Sequence, residues 1–498
     1  MSSIHTAEAS AGVAQSAESA QHALAGRIPI PHQNRIFNRY GEFLLTSATL
    51  GSASYAYLVG ASLTNIGTTW IALVGYLLGL VIGTAFVTLS AGVISYRLGV
   101  DAVDASKPCL GTRGAVLMLV GAFLSCAGWA NVLLAMTSRG LVTLLPAQLT
   151  GTGAHAEGVV SVVGLLLMGL IWLLLRRGAK AMERAASYCA IAQIVVAVLV
   201  LGLILKKFGL SSALLHNVSP QKAYTGHKLL QLAYGVEFGL ANGIGMVAFI
   251  GGLARLVKHK RHLMGPVVIG YPMLGATLVA SVGAMAAVVT GQEDLSAMFT
   301  GVAGSTLGPW LLSVVMITNV GTMVAQFYIA GLTIEQISLF ARLKWEWVVA
   351  VVLLPSLVVA FNTQWLLDHV MAFLAYGGVM FVGLSAIMFV DYFLLRRQRV
   401  ITAHLFALPR QGDYWFYGGV NWAAIVVIVL TCALYAVWFD PITLRVGGPF
   451  QWLGASIPTL VVGGLLYYAL MKLWVIRQGV GGYEAVAPGR VQAVEVGL

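Results

Sequence analysis

Charged residues are scarce in this sequence. Asp, Glu, Lys and Arg make up 9% of it and hydrophobic residues 59%, whereas a soluble domain carries about 25% charged residues. Most of the molecular surface therefore cannot face water, which excludes a soluble globular protein. The net charge of +11 does not indicate nucleic-acid binding, because the basic residues lie between apolar segments. The composition predicts a polytopic membrane protein.

Cysteine is also scarce, and its four residues have neither paired nor metal-type spacing, which argues against a disulfide framework or a zinc site. The apolar segments contain no Cys, His and carboxylate cluster, no nucleophile–base pair and no helical HExxH motif. A phosphate-binding GxxxxGK(S/T) motif is missing as well. We therefore expect no enzyme, no resident cofactor or metal, and no transport driven by nucleotide hydrolysis in this chain.

Long apolar runs are what the sequence has instead. Windows of about 19 residues predict twelve transmembrane spans. Most Lys and Arg residues lie in the connections on the amino-terminal side, as the positive-inside rule expects of cytoplasmic loops. We predict a multi-pass protein of the cytoplasmic membrane with both termini inside. The spans, numbered 1 to 12 in chain order, are predicted at 42–64, 69–95, 112–137, 157–175, 186–205, 229–254, 264–290, 306–333, 346–362, 366–395, 416–438 and 452–474.

Span 6 carries Glu237, Asn242, Gly243 and Gly245 in the middle of an apolar run. An unpaired backbone amide in lipid costs several kcal/mol, so a broken helix survives only beside protein or a water-filled cavity. One interpretation is a discontinuous transport helix, opened at the glycines, that exposes backbone groups to a substrate. The alternative is a small-residue groove that packs against a neighbouring helix, with Glu237 near an interface.

Span 1 contains a similar interruption at 50–54, Leu-Gly-Ser-Ala-Ser. Two breaks separated by five helices are what an inverted repeat of spans 1–5 and 6–10 would produce, although glycine is common in membrane helices. This predicts a disordered cytoplasmic tail over 1–36, a first repeat over 37–205, a second over 229–395, spans 11 and 12 over 416–474, and a cytoplasmic tail over 475–498.

Three groups of residues could carry function. Trp129 lies mid-span, where its ring could stack a flat substrate or only fill the core. Thr318, Thr322 and Gln326 share one face of span 8, where the two hydroxyls, with carbonyls from Gly51 or Ser54, could bind sodium. The alternative is that the threonine hydroxyls bond back to their own helix.

Glu237 is the one carboxylate predicted deep in a span, and an intramembrane ionisable group is a functional hypothesis by default. Asp391 lies near an inner helix end, where we expect it to pair with Arg396 or Arg397.

The sequence resembles the nucleobase-cation-symport-1 family, which includes cytosine and hydantoin permeases. The resemblance covers about residues 40–475 and is carried by short motifs in a fixed order. These are Leu-Gly-Thr-Arg-Gly at 110–114, Gly-Trp at 128–129, Phe-Val-Asp-Tyr at 389–392, Arg-Arg at 396–397 and Asn-Trp-Ala-Ala at 421–424.

The resemblance implies an all-α fold of the leucine-transporter type, a five-plus-five inverted repeat, alternating access, and a planar nitrogen heterocycle as substrate. It makes Trp129 the stacking platform and gives Asn242, Gln326 and Ser54 polar roles in binding. It makes Gly243, Ile244 and Gly245 the wall of span 6.

Two departures from the family pattern stand out. Members often have an aromatic residue in the span 6 break and an amide one turn after the tryptophan, where this chain has Gly243 and Leu133. Members also place neighbouring hydroxyls at a sodium site on span 8, where this chain has Gly321 and Thr322. A proton carried by Glu237 is therefore an alternative to sodium as the coupling ion.

The leading prediction is a secondary active importer of a purine, pyrimidine, hydantoin or allantoin, coupled to Na⁺ or H⁺. The same fold carrying an amino acid or amine is the alternative among transporters, and a channel or receptor-like protein is the alternative from another class. The expected partners are the small heterocycle and the lipid bilayer, with no nucleic acid and with a monomer as one option.

Overall fold

The computed structural model describes residues 29–216, 227–369, 378–407, 410–448 and 450–483. Within these ranges, seven helices are long and apolar enough to cross a membrane, or nine if two bent pairs each count as one span, and two further apolar helices are shorter. The number of helices that cross a membrane, predicted as twelve, stays a prediction. The helices of spans 1 to 12 are Tyr40–Ser52 with Ser54–Leu63, Thr69–Leu98, Val116–Val142, Ala154–Leu175, Ala179–Phe208, Lys228–Gly245 with Val247–Ala254, Lys260–Thr290, Leu295–Glu335, Trp345–Phe361 with Thr363–His369, Val379–Leu395, Trp422–Trp438 and Ser456–Gln478.

Short elements connect these helices. A helix over Ala102–Leu110 joins spans 2 and 3, and a two-stranded antiparallel ribbon pairs Phe439–Asp440 with Arg445–Val446 between spans 11 and 12. Span 11 begins six residues later than predicted because Phe416, Gly418 and Gly419 have positive φ angles, which no helix tolerates. The predicted stretch of span 10 at 370–377 lies outside the described residues.

Spans 2 and 6 are held together by two facing rows of glycine. Each row repeats every four residues, so it forms one stripe on its helix. A Cβ atom added to Gly75 would lie 2.7 Å from the Leu232 carbonyl oxygen, and one added to Gly239 would lie 2.7 Å from the Leu80 amide nitrogen. The backbones therefore touch at distances that only glycine permits. The two rows are Gly75, Gly79 and Gly83 on span 2, and Gly235, Gly239 and Gly243 on span 6.

Spans 1 and 7 pack in the same way. A Cβ at Gly51 would lie 2.6 Å from the Ala276 amide nitrogen, and one at Gly275 would lie 2.5 Å from the Ala48 carbonyl oxygen. An inverted repeat that relates span 1 to span 6 and span 2 to span 7 converts one of these glycine-lined pairs into the other. Small residues therefore build the two equivalent contacts at the centre of the fold.

The two predicted breaks are present, in span 1 within the predicted stretch 50–54 and in span 6 one residue beyond the predicted glycines. Span 1 is interrupted at Ala53, whose ψ of 166° is extended rather than helical. Span 6 stays helical through Gly245 and bends by 41° at Met246. Both sequence interpretations of span 6 thus apply to different glycines, because Gly243 belongs to the packing groove whereas Gly245 borders the bend. The prediction that Gly243 itself opens the helix is wrong.

Buried charges stabilise the end of the molecule where the first and last described residues lie, near Gly99 and Arg396. Asp391 Oδ2 forms an ion pair with Arg396 Nε at 2.7 Å, which confirms one of the two expected partners. Nearby, Gln336 at the end of span 8 donates from Nε2 to Asp101 Oδ2 (3.1 Å) and Asp104 Oδ2 (3.0 Å) on the connecting helix. Burial, reinforced by the Asp104 carboxylate, raises the pKa of Asp101 to about 7.

Candidate functional site

A small cavity of about 20 Å³ lies where the two broken spans approach each other. Its lining comes from spans 1, 3, 6, 7 and 8, so it is built only when the chain has folded. This volume holds about one water molecule, so the lining residues must move apart to admit a small-molecule substrate. The lining residues are Leu50, Tyr55, Trp129, Asn242, Gly245, Met246, Phe249, Tyr271 and Gln326.

Aromatic rings form much of this lining. The half-buried Trp129 ring contacts the Tyr55 ring, with centroids 4.9 Å apart and planes inclined by 45°. The Tyr55 hydroxyl donates a hydrogen bond to the Leu50 carbonyl, on the other side of the span 1 break. Tyr271 and Phe249 contribute further aromatic surface from spans 7 and 6. Such a surface suits a flat ring, which gains from stacking as well as from removal of apolar area from water.

The amide of Asn242 lines the cavity but is already bonded at both ends. Its Nδ2 donates to the Tyr76 hydroxyl at 2.7 Å, and its Oδ1 accepts from the Tyr271 hydroxyl at 2.7 Å. Asn242 therefore joins spans 2, 6 and 7 and orients Tyr271 toward the cavity. Its expected direct bond to a substrate would have to replace or supplement one of these contacts.

Gln326 has a side-chain oxygen that is available to accept a hydrogen bond from a bound molecule. Its side chain is 2% exposed, and its Oε1 atom has no hydrogen-bond partner among the residues that the structure describes. A buried acceptor without a donor costs about 1–3 kcal/mol. A ligand that carries an N–H group would recover that free energy on binding.

The other residues predicted for the span 6 wall lie elsewhere. Gly243 is pressed against the backbone of span 2, and Ile244 is fully buried without being part of the cavity lining. Gly243 and Ile244 therefore do not lie in the cavity wall, because the helix continues through Gly245 and bends only at Met246. Sequence reasoning missed Tyr55 and Tyr271, whose signal is an aromatic ring next to a break or on a helix that faces one.

The residues predicted to bind a cation only partly come together. Thr322 Oγ1 donates to the Thr49 carbonyl at 2.7 Å, so it does meet span 1. Thr318 instead bonds back to the Val314 carbonyl at 2.7 Å, as the alternative interpretation expected. Gly51 packs against span 7.

Ser54 contacts span 8 through a residue that sequence reasoning did not select. Its amide donates to Asn319 Oδ1 at 3.0 Å, and Asn319 Nδ2 donates back to Ser54 Oγ at 2.8 Å. The same nitrogen reaches Thr137 Oγ1 on span 3 at 2.9 Å. The oxygen atoms around the span 1 break are thus engaged by donors of the protein, and sodium would have to displace some of them.

Glu237 is fully buried, in line with its predicted depth, but it does not line the cavity. Its carboxylate accepts hydrogen bonds from the amides of Ala455 (2.7 Å) and Ser456 (2.9 Å) and from the Ser456 hydroxyl (2.6 Å). These donors form the amino-terminal end of span 12, where the helix dipole favours a negative charge. The geometry makes Glu237 a cap that attaches span 6 to span 12.

Two broken spans that meet at an internal cavity, flanked by equivalent packed pairs, define the class of the molecule as a secondary transporter of the leucine-transporter fold. Residues 43–453 match the family model described as permease for cytosine/purines, uracil, thiamine, allantoin. The chain belongs to this family. It is a transporter and not an enzyme, and the family resemblance inferred from its motifs is confirmed.

Solved structures agree on the fold. The nucleobase-cation-symport-1 family transporter Mhp1, in a closed conformation with bromovinylhydantoin bound, matches with a TM-score of 0.71 at 16% identity, over 91% of this chain and 95% of that one. Mhp1 in its inward-facing conformation gives 0.69 at 17% identity, over the same shares. A Na⁺-coupled sialic acid symporter gives 0.59 at 13% identity, over 86% and 89%. A search of curated protein sequences finds no match.

Proposed function

We propose that this protein imports a neutral, planar nitrogen heterocycle by alternating access, together with a cation. Purines, pyrimidines, hydantoins and allantoin are the candidate substrates. The observation that carries the proposal is the Gln326 Oε1 atom, which has no hydrogen-bond partner among the described residues and lies in a cavity lined by aromatic rings at the junction of the two broken spans. A heterocycle with a ring N–H group can donate to that oxygen while its faces contact Trp129.

The character of the lining supports a neutral substrate. None of its nine residues is charged, and an ion moved into such a site without a countercharge loses far more hydration energy than dispersion contacts return. An amino acid would also need free helix amides for its carboxylate. At the span 1 break the Ser54 amide is already bonded to Asn319, which disfavours the amino-acid alternative.

The experiment is uptake into proteoliposomes that contain the purified chain. Radiolabelled uracil, hypoxanthine, hydantoin and allantoin are offered under an imposed Na⁺ gradient, an imposed H⁺ gradient, or neither. We expect at least one of them to accumulate above its external concentration with saturable kinetics and only with a gradient. Flux that never saturates would indicate a channel, and no uptake of any of the four would refute the proposal.

The coupling cation has two candidate sites in our proposal. Sodium would use oxygens of Ser54 and Thr322, with backbone oxygens near Gly51 and Thr318, after displacing donors of the protein. A proton would use Glu237, and its uptake would weaken the cap on span 12.

Glu237→Gln separates the two candidates. If Glu237 carries the coupling proton, this variant should retain substrate exchange but lose H⁺-driven accumulation. If it serves only as a cap, the variant should unfold at a lower temperature with its ion dependence unchanged. Glu157→Gln is the control, because Glu157 forms an exposed ion pair with Arg139 and belongs to neither candidate cation site.

A further inference from the structure

Tyr55 occupies a position in the cavity that no sequence pattern assigned to it. It follows the Ala53 break by two residues, so its ring enters from span 1. The ring is held at both ends, by contact with the Trp129 ring at one end and by the hydroxyl bond to the Leu50 carbonyl at the other. Because Leu50 and Tyr55 lie on opposite sides of the break, this bond makes the position of the Tyr55 ring depend on the geometry of the break.

Span 6 has no aromatic side chain at its bend, although Phe249 lines the cavity about one turn further on. Residues 242–246 read Asn-Gly-Ile-Gly-Met, and Gly245 borders the cavity. A Cβ atom added to Gly245 would meet no described atom within 4 Å. The span 6 side of the cavity therefore has free volume at Gly245, between Met246 and Phe249, whereas the span 1 side is walled by the Tyr55 ring.

We infer that Tyr55 is the second aromatic wall of the substrate site and that, together with Gly245, it determines which ring sizes bind. This inference rests on the proposed function. The Tyr55 and Trp129 centroids are 4.9 Å apart, whereas a ring inserted between two others would need about 7 Å, or two contact distances of about 3.5 Å. A planar guest cannot enter between them.

The guest therefore stacks on the cavity face of Trp129, and the edge of Tyr55 limits its extent toward span 1. A substituent on the guest can extend only toward the free volume at Gly245. Removal of the Tyr55 ring should admit bulkier guests, and addition of a methyl group at position 245 should exclude them.

The test compares hydantoin with 5-benzylhydantoin as probes. Their dissociation constants are measured by ligand-induced thermal shift on the purified full chain. Tyr55→Ala should improve the affinity for 5-benzylhydantoin relative to hydantoin by roughly 10-fold, because the cavity gains the volume of a ring. Gly245→Ala should change the same ratio by a similar factor in the opposite direction.

Tyr57→Ala is the matched control. Tyr57 is buried on the same helix, but it packs edge-on against Phe299, with ring centroids 5.3 Å apart, and does not line the cavity. Its replacement should lower the unfolding temperature and leave the selectivity ratio unchanged. If Tyr55→Ala does not fold, Tyr55→Leu and Gly245→Ala still test the inference.

The outcomes separate the inference from the proposed function. Wild-type protein that binds neither probe, nor uracil, hypoxanthine or allantoin, would refute both. Wild-type protein that binds, with Tyr55 and Gly245 variants that alter both affinities equally, would overturn the inference and leave the proposed function intact. A selectivity ratio that moves in opposite directions in the two variants would support the inference.

Discussion

At the scale of single residues, the feature on which substrate binding depends in our proposal is Gln326 Oε1, which has no hydrogen-bond partner among the described residues. Asn242 and Gln326 look equivalent in the sequence, since each is an amide in a membrane span. The structure separates them, because Asn242 is bonded to Tyr76 and Tyr271 whereas Gln326 Oε1 has no partner in the described part of the chain. Of these two amides, Gln326 is therefore the one whose oxygen is available to accept a hydrogen bond from a substrate.

Gln326→Met keeps the length of the side chain and removes the acceptor. We expect its affinity for the transported heterocycle to fall by roughly 10-fold or more, because an N–H group buried without an acceptor costs about 1–3 kcal/mol. Binding curves for the parent heterocycle and its N-methylated analogue test the reason. The methyl group should weaken binding to the wild type and have little further effect on the variant.

Thr333→Val is the control for this variant, because the Thr333 hydroxyl bonds to the Ala330 carbonyl of its own helix at 2.7 Å. An equal loss of affinity in both variants would show that Gln326 acts through the packing of span 8 and not through its oxygen.

A second residue-scale prediction concerns Asp101. Burial raises its pKa to about 7, Asp104 adds to the shift, and Arg255 opposes it. Lys107 faces the pair through an ion pair with Asp104 at 2.5 Å. The folded state therefore binds a proton that the unfolded state has lost above about pH 4. The contribution of Asp101 to stability should fall as pH rises from about 4 to about 7.

Asp101→Asn should remove this pH dependence, since asparagine does not titrate and still caps the helix that follows. Between pH 5 and pH 8, the unfolding temperature of the wild type should decline relative to that of the variant. The corresponding loss in the free energy of unfolding is at most about 1.4 kcal/mol per pH unit. The control is Asp440→Asn, because hydrogen bonds from Thr443 lower the pKa of Asp440 below this range. Parallel profiles for the wild type and Asp101→Asn would contradict the prediction.

At the scale of the elements, glycine stripes bring the backbones of spans 2 and 6 into contact. In lipid the hydrophobic effect does not drive helices together, so close packing supplies much of the association. The contact also orients span 6, because it turns Gly243 toward span 2 and leaves Gly245 at the cavity. The stripes therefore support the site as well as the fold.

Gly239→Ala should destabilise this interface. Its new methyl group would lie 2.7 Å from the Leu80 amide nitrogen, and overpacking of this kind costs about 1–3 kcal/mol. We expect a lower unfolding temperature in detergent and reduced yield of folded protein. Gly202→Ala on span 5, where no described atom lies within 4 Å of the new Cβ, should be neutral or slightly stabilising. Equal behaviour of the two variants would refute this account of the interface.

At the scale of the whole molecule, the two glycine-lined pairs and the two breaks surround one cavity. An inverted repeat exchanges span 1 with span 6 and span 2 with span 7, so it provides two similar arrangements of the same parts, as alternating access needs. The polar contacts of Asp101, Asp391 and Gln336 lie at the end of the molecule where the first and last described residues are found. We expect this end to face the cytoplasm.

A fluorescent protein fused to the carboxyl terminus tests this orientation, since such reporters mature in the cytoplasm of bacteria and stay dark when exported in unfolded form. We expect bright cells, and alkaline phosphatase fused at the same position should be inactive. The reverse pattern would overturn the assignment of the termini.

The sequence alone was sufficient for the class of the fold, the family and the limits of several described helices, such as those of spans 2, 4, 6 and 9, to within a few residues. A span must be long enough to cross the bilayer, and basic residues on the cytoplasmic side determine its orientation. Both properties depend on local composition, so they can be predicted from the sequence. Short ordered motifs identified the family. Trp129, Gln326 and Gly245, which the family resemblance implied as substrate-binding residues, line the cavity, and their binding of a substrate stays a prediction.

The tertiary structure determines which side chains meet at the cavity. Gly243 and Gly245 are two residues apart, yet one packs against span 2 and the other borders the cavity, because the bend falls at Met246. Tyr55 and Asn319 were not selected because their roles depend on residues of other spans: Trp129 of span 3 for Tyr55, and Ser54 of span 1 with Thr137 of span 3 for Asn319. Composition determines which segments enter the membrane, whereas the angles and contacts between helices determine which atoms remain unpaired around the cavity.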